Sequence, residues 1–285
     1  MVYWNPDNII FTLGPVTLRW YALCWSIGLA AAYATVYKLY RRQGIGQDKF
    51  DPLFLYCFVG ILAGARLGHC LLYEPGYFLS HPLEMLLPAR QAADGSWHMT
   101  GYAGLASHGG TAGLMLALWL YVKRTGVALR TVLDNIAIAT PVTAACIRIG
   151  NLMNSEIVGK ATDGACGFVF QRLVDPATGL PENFPRHPAQ LYEALWYALL
   201  FPVGLWLYRR YPKRVGTGFF FGWCLTSIFT FRFFVEYLKE VQEPWELTMQ
   251  QAIGINQGQL LSLPFAALGL WCWLRAVRKE TAMPR

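Results

Sequence analysis

Charge is scarce in this chain. Of 285 residues only 14% are Asp, Glu, Lys or Arg, whereas 55% are hydrophobic and 15% aromatic; a soluble domain carries roughly 25% charged residues. The shortage excludes an ordinary water-soluble globule. The five histidines, His69, His81, His98, His108 and His187, form no His-x-x-x-His pair and no carboxylate cluster accompanies them, so no metal site is expected. Seven cysteines include no Cys-x-x-Cys pair. Six of them lie in apolar runs, where they read best as small buried hydrophobes, and Cys166 alone lies in a loop, too isolated to imply a disulfide framework. A Walker loop, a dinucleotide fingerprint and a Gly-x-Ser-x-Gly elbow are also missing, and no cofactor is expected. The N-terminus has no basic n-region followed by a small-residue cleavage site, so no removable leader is expected. There is no internal repeat and no low-complexity segment.

What is present is apolar sequence dealt out in runs of about 20 residues, the length that crosses a bilayer core. The runs 20–40, 53–73, 102–122, 132–150, 190–208, 218–237 and 260–277 predict an all-α polytopic membrane protein with seven transmembrane helices. Residues 1–285 read as a single integral membrane domain with no soluble domain attached. One set of connections holds Lys38, Arg41, Arg42, Lys49, Lys123, Arg124, Arg130, Arg209, Arg210, Lys213, Arg214, Arg275, Arg278, Lys279 and Arg285, or 15 of the 24 basic residues. Because Lys and Arg accumulate in cytoplasmic loops, the N-terminus is expected outside and the C-terminus inside. The net charge of +7 is therefore topology and anchoring to an anionic leaflet, and no nucleic acid is expected as a partner. Residues 1–18 are expected along the outer membrane surface, with Trp4 and Trp20 in the interface. Of the outer loops, 73–101 contains Pro75, Pro82, Pro88 and Gly95 and is expected to include a short interfacial helix over 81–87. The other, 160–186, reads as a small extracytoplasmic head: 167–174 has β character, and Asp175, Pro176, Thr178 and Gly179 supply turn chemistry.

Against this background the polar groups inside the spans stand out. Arg148 ends the apolar run 136–147 and is followed by Gly150, Asn151, Asn154, Glu156 and Gly159. An arginine inside a span costs about 2.5–3.5 kcal/mol on insertion scales, so such a residue faces a partner, a water-filled cavity or a ligand. Tyr21, Arg66, His69, His108, Arg148, Glu193, Arg232 and Glu236 all fall near the outer ends of their spans, and only Asp134 near an inner end. That shared level predicts a polar chamber with Arg66, Arg148 and Arg232 against Glu193 and Glu236, an excess of one positive charge suited to an anion. Guanidinium forks match phosphate bidentately.

Each group also has a structural reading. Arg232 and Glu236, four apart on a helix, fit a neutralising pair equally well. Arg66 and His69 follow Gly60 and Gly64, with Gly68 between them, on a face suited to close helix packing. A lone histidine is more often a core group than a catalyst, but His108 stands in Ser107-His108-Gly109-Gly110, where glycines let a backbone or head group approach. Tyr21 beside Trp20 fits an interface anchor. His187-Pro188-Ala189-Gln190-Leu191-Tyr192-Glu193 reads as a helix start in which Glu193 complements the dipole. A carrier would suit such a chamber too, but its pathway should continue inward, and the inner halves of these spans are nearly uncharged.

The run Arg148-Ile149-Gly150-Asn151-Leu152-Met153-Asn154-Ser155-Glu156-Ile157-Val158-Gly159 closely resembles the signature of bacterial prolipoprotein diacylglyceryl transferases. The resemblance extends along most of the chain: Ile10-Phe11-Thr12-Leu13-Gly14-Pro15 with Arg19-Trp20-Tyr21, Gly64-Ala65-Arg66-Leu67-Gly68, the Ser107 to Gly110 element, the His187 to Glu193 element, Phe231-Arg232-Phe233 with Glu236, and Gly258-Gln259-Leu260-Leu261-Ser262. It implies seven spans with an outside N-terminus and a small head, in the bacterial cytoplasmic (inner) membrane. The implied activity is transfer of the diacylglyceryl group of phosphatidylglycerol to the lipobox cysteine of a preprolipoprotein, with release of glycerol phosphate. The implied partners are phosphatidylglycerol, the lipobox segment and membrane lipids.

By position, Tyr21, His108, Arg148, Asn151, Glu156, Gly159, Arg232 and Glu236 match residues that the family treats as functional. The chain departs from the family at Ile228, where a tyrosine is common, at Lys239, where an arginine is usual, and in a longer loop before His108. Residue chemistry fits the implied reaction. A free cysteine has a pKa near 8.5, so the thiol needs a base or an electropositive setting, and His108 is the candidate base. Arg148 and Arg232 are the candidates to stabilise the leaving phosphate, Asn151 and Glu156 to orient Arg148 and the head group. Catalytic candidates are thus His108, Arg148, Arg232 and Glu156; substrate-binding candidates are Tyr21, Asn151, Gly159, Glu236 and Arg66.

The charge asymmetry yields a direct topology test. Single-cysteine probes at Gln43 and Tyr211 should be shielded from impermeant thiol reagents in intact cells, whereas one at Thr178 should label; labelling of the first two would reverse the orientation.

Overall fold

The computed structural model describes residues 1–281 except 15, 88, 93–94, 100–103, 175–178 and 242–243. Pro15, Pro88, Gly101, Tyr102, Asp175, Pro176, Thr178 and Arg285, named above, lie outside the described residues. In chain order the elements are β1 (Val2–Trp4), β2 (Ile9–Leu13), β3 (Val16–Arg19), α1 (Trp20–Arg42), α2 (Gln47–Leu72), α3 (Pro75–Ser80), α4 (Pro82–Leu86), β4 (Ala89–Gln91), β5 (Trp97–Met99), α5 (Ser107–Thr125), α6 (Leu129–Met153), β6 (Phe168–Phe170), α7 (Ala189–Arg210), α8 (Phe219–Val235), α9 (Pro244–Ile253) and α10 (Gln257–Thr281).

Six of the described helices, α1, α2, α6, α7, α8 together with the 3-10 turn Glu236–Leu238 that continues it, and α10, are long and apolar enough to cross a membrane. This is a mostly helical, polytopic protein. The observed helices run past most of the apolar runs because a helix continues into the polar interface: α1 and α7 close on Arg41–Arg42 and Arg209–Arg210, cations that favour the negative end of the helix dipole. The 19-residue α5 is about 28 Å long at 1.5 Å per residue. It has the length but not the apolarity, since its first turn is Ser107, His108, Gly109 and Gly110 and its last carries Lys123 and Arg124. Helix α9 had no counterpart among the expected elements; it is short and half polar.

The chain forms two compact units, residues 40–129 and, together, residues 1–39 and 130–285. In the first, α2 packs along α5 through glycines at four-residue spacing. A Cβ on Gly68 would stand 2.6 Å from the Gly109 Cα, and one on Gly113 2.9 Å from the Gly64 Cα, so only glycine permits the approach. Small residues of this kind let helices meet in lipid, where burial in water's absence offers no hydrophobic drive. The expected interfacial helix is a hook of two helices, α3 and α4, followed by the antiparallel β4–β5 hairpin. Arg66 anchors it. That side chain is buried, donating from Nε to the Met85 carbonyl at 3.2 Å and from NH2 to the Glu84 carbonyl at 2.6 Å, with its guanidinium 4.9 Å from the Phe78 ring centroid. The Glu84 carboxylate accepts from Tyr77 Oη at 2.6 Å and from the Gln91 N–H at 3.0 Å. These bonds, the Tyr77 one first, hold the Glu84 carboxyl below the usual carboxylate range and push the Tyr77 phenol up.

In the second unit α8 packs along α10, where a Cβ on Gly269 would stand 2.6 Å from the Thr226 nitrogen. Helix α1 approaches α6 at Gly28, whose carbonyl accepts from Thr143 Oγ1 at 3.0 Å. Asp134, fully buried, explains the one polar group at an inner end: Oδ2 accepts from the Gly216 and Gly218 N–H groups and Oδ1 from that of Phe221, each at 2.9 Å. Donors in the turn ahead of α8 and in its first turn are thereby satisfied by a carboxylate reaching in from α6.

The N-terminal segment is tied to the 160–186 region. Strand β1 pairs in parallel with β6 of the 160–186 region, and the Trp4 indole N–H donates to the Leu152 carbonyl at 2.8 Å. Residues 167–174 supply only the three-residue β6, whose other edge is closed by reciprocal bonds of 2.8 and 2.9 Å between Phe168 and Arg186.

Removing the Asp134 carboxylate strands three backbone donors. Asp134→Ala should lower stability by at least ~2 kcal/mol, the upper end for a lost helix cap, read as a lower midpoint of thermal unfolding in detergent, with Asp134→Asn in between. An unchanged midpoint for the alanine variant would mean that those donors find other acceptors.

Candidate active site

The second unit collects most of the predicted polar residues at one place, and the organising group is Glu193. It lies one turn into α7, directed inward by the helix start at His187 to Gln190, and is 0% exposed. Oε2 stands 3.0 Å from Arg148 Nε and 3.1 Å from Lys239 Nζ, and Oε1 accepts from Tyr197 Oη at 3.2 Å. Lys239, 3% exposed, also reaches Glu236 Oε2 at 3.3 Å. The 3-10 turn Glu236–Leu238 that ends α8 bends the chain so that Lys239 folds back over Glu236.

From Arg148 a second line of contacts runs outward. Its NH1 donates to Asn151 Oδ1 at 3.1 Å, Asn151 Nδ2 donates to Glu156 Oε2 at 3.1 Å, and Asn154 Nδ2 donates to Glu156 Oε1 at 3.1 Å. Gln190 Nε2 donates to the Glu156 backbone carbonyl. The exposed Glu156 side chain is therefore held by two amides at the mouth of the buried cluster.

The predicted pair of Arg232 with Glu236 is not formed. Glu236 pairs with Lys239, and among the described residues the half-buried Arg232 side chain has no ion-pair or hydrogen-bond partner. The charge balance changes with it. Arg66 serves the hook, while Lys239 and Glu156 join, so Arg148, Arg232 and Lys239 stand against Glu156, Glu193 and Glu236. The excess of one cation expected from sequence becomes a balanced set in which one guanidinium is left over. Lys239 and Tyr197 were missed as members. The available signals were the spacing of Lys239, three after Glu236, and of Tyr197, four after Glu193.

The remaining candidates fall as follows. Tyr21 packs against Gly150, where a Cβ would stand 2.9 Å from the tyrosine Cδ2. Gly159 lies against His187 and Leu238: its N–H donates to the His187 carbonyl at 2.9 Å, and a Cβ there would stand 2.7 Å from the Leu238 carbonyl oxygen. Arg186 clamps this junction, with Nε 2.6 Å from Glu182 Oε2, NH1 2.5 Å from Glu240 Oε2, and NH1 also donating to the Gly159 carbonyl at 3.2 Å. Burial pulls the Arg186 pKa down, but the Glu182 and Glu240 carboxylates outweigh it and raise it overall. Arg66, His69 and His108 belong to the first unit. There the His69 Nε2 lies 3.1 Å from Glu74 Oε1, and the His108 side chain is exposed in the first turn of α5.

A family model described as prolipoprotein diacylglyceryl transferase matches residues 8–275. The chain belongs to that family. It is 52% identical over 270 residues to the phosphatidylglycerol–prolipoprotein diacylglyceryl transferase of Bacteroides fragilis, covering 95% of this chain and 93% of that protein. To the proteins of the same name from Porphyromonas gingivalis and Tolumonas auensis it is 40% and 39% identical over 281 residues. These cover 97% and 98% of this chain and 95% and 99% of the two relatives. Within this transferase family, then, the chain links Arg148, Asn151, Asn154 and Glu156 through their side chains.

Taking one partner from a buried charge cluster is costly because the other charge remains in a low-dielectric setting. Lys239→Met should therefore destabilise by about 3–5 kcal/mol and Lys239→Arg far less, as read by thermal unfolding in detergent. Equal midpoints for wild type and the methionine variant would remove Lys239 from the cluster's support.

Proposed function

We propose that this chain transfers the diacylglyceryl group of phosphatidylglycerol to the lipobox cysteine thiol of preprolipoproteins, the first step of bacterial lipoprotein maturation. Family membership with 52% identity to a relative of that name supports the reading. The observation in the structure that carries it is the buried Arg148–Glu193–Lys239 cluster, with Arg232 beside it unpaired among the described residues. A protein that needs only neutral helices has no reason to maintain such a group in a membrane.

In the proposed step the cysteine sulfur attacks the glyceryl carbon that bears the phosphate ester. The C–S bond forms, the C–O bond breaks with its electron pair going to phosphate, and glycerol phosphate departs. The thiol proton goes to a base, and His108 is assigned that role by residue type and exposure. Arg148 and Arg232 are assigned to the phosphate, whose charge grows as a diester becomes a monoester; charges already held in place stabilise it without reorganisation. Glu156 and Asn151 orient Arg148, Tyr21 and Gly159 shape the site by close packing, and Glu236 takes part through Lys239. Arg66 supports substrate binding indirectly, through the hook. The fold we propose is one integral domain of seven spans, α5 included, with the N-terminus and the 160–186 head outside the bacterial cytoplasmic membrane.

The test is incubation of purified protein with labelled phosphatidylglycerol and a lipobox peptide, which should give a thioether-linked lipid on the peptide. Lysine keeps the charge of arginine but loses its planar fork, so Arg148→Lys and Arg232→Lys should each cost roughly 10²–10³-fold in turnover while the protein still inserts and purifies. For His108→Asn a loss of about 10²–10⁴-fold is expected. Failure of the wild-type protein to lipidate the peptide would refute the transfer; lysine variants of full activity would remove the arginines from the phosphate.

A further inference from the structure

After α6 the chain makes a tight loop held by backbone bonds of 3.1 Å from Asn154 N–H to the Gly150 carbonyl and 3.0 Å from Glu156 N–H to the Asn151 carbonyl. Two of its residues, Ser155 at φ 56° and Ile157 at φ 58°, adopt the left-handed conformation. That region disfavours residues other than glycine, a β-branched one above all. Backbone strain of this kind persists only where surrounding contacts enforce it, and it concentrates at functional sites.

The loop orients a set of amides whose directions are determined by their partners. A carboxylate only accepts, so the Nδ2 of Asn154 must face Glu156, and a carbonyl only accepts, so the Nε2 of Gln190 must face the Glu156 backbone oxygen. The opposite ends of both amides are consequently oxygens. Asn154 Oδ1 and Gln190 Oε1 are buried and, like Ser155 Oγ, have no hydrogen-bond partner among the described residues. Gln190 is 0% and Ser155 3% exposed. Buried polar atoms in native proteins are nearly always satisfied, and these three belong to residues that bond or adjoin Glu156. Two of the three can only accept and the third is a hydroxyl. An anion is excluded as the partner, and a group with several O–H donors fits.

Position narrows the choice. Asn151 joins these atoms to the phosphate candidate, since its Oδ1 accepts from Arg148 NH1 while its Nδ2 donates to Glu156. The acceptors therefore lie a short hydrogen-bonded chain away from a guanidinium. A phosphodiester head group that carries a glycerol has the same order: an anion, then two hydroxyls within a few bonds. We propose that Asn154, Ser155 and Gln190 form a hydroxyl-reading subsite that recognises the diol of the phosphatidylglycerol head group. This rests on the transfer activity proposed above and adds the basis of head-group selection.

The test compares phosphatidylglycerol with phosphatidylpropanol, which keeps the phosphodiester and the three-carbon chain but lacks both hydroxyls. The quantity read is the ratio of kcat/KM for the two lipids in detergent micelles at fixed lipobox peptide. A folding defect scales both lipids alike and intrinsic leaving-group differences are common to all variants, so both cancel in a change of that ratio. Wild type should prefer phosphatidylglycerol, and Ser155→Ala and Gln190→Met should each reduce the preference by about 3- to 10-fold, the effect of one neutral hydrogen bond. Ser155→Ala removes only a hydroxyl and keeps the packing; Gln190→Met keeps the side-chain length. An unchanged ratio in both variants would overturn the subsite and assign the orphan acceptors to buried water. A raised KM for the peptide with the lipid ratio unchanged would overturn it in favour of the lipobox backbone. If wild type transfers from neither lipid, the transfer activity itself falls, an outcome separate from loss of discrimination in an active enzyme.

Discussion

A carboxylate with no access to water organises the second unit. Glu193 is 0% exposed, and a buried charge of that kind is tolerated only with counter-charges and hydrogen bonds in place. Arg148 from α6, Lys239 from beyond α8 and Tyr197 from its own helix supply them. Because these groups come from three separate segments, the pairing ties the helices together at one level. It also decides what remains available for chemistry. Lys239 occupies Glu236, and that contact leaves the neighbouring Arg232 without a partner among the described residues.

The same principle of partnering operates outside this cluster. Arg66 donates to the Glu84 and Met85 carbonyls, and Asp134 accepts from the Gly216 and Gly218 N–H groups just ahead of α8 and from that of Phe221 in its first turn. Both are ionisable residues within apolar spans, yet both satisfy backbone atoms that lipid would leave unpaired. An ionisable residue in a span marks a function by default, but the partner decides which function it is.

Close approach is the second recurring device. Gly64, Gly68, Gly109 and Gly113 let α2 and α5 touch, Gly150 admits the Tyr21 ring, and Gly159 fits between His187 and Leu238. In each case a Cβ would overlap its neighbour. The glycines of the 148–159 segment therefore act through the space they leave to others.

Much of this was legible from residue order alone. Apolar length determined where helices form, because crossing a bilayer core has a fixed requirement in residues, and six of the seven expected runs became helices of spanning length and apolarity. Arg148, Asn151 and Glu156 were recognisable because polar groups in apolar sequence are expensive and hence informative. The tertiary structure alone decided the partners. The i,i+4 spacing made Arg232 and Glu236 a natural pair, yet Glu236 pairs with Lys239 because the turn after α8 brings that ammonium back. Likewise Arg66 shared its depth with Arg148 but is consumed by two carbonyls of the hook. Periodicity specifies the face and depth at which a side chain leaves its helix; the atom it meets belongs to another segment, and often to a backbone group that every residue possesses and no sequence pattern records.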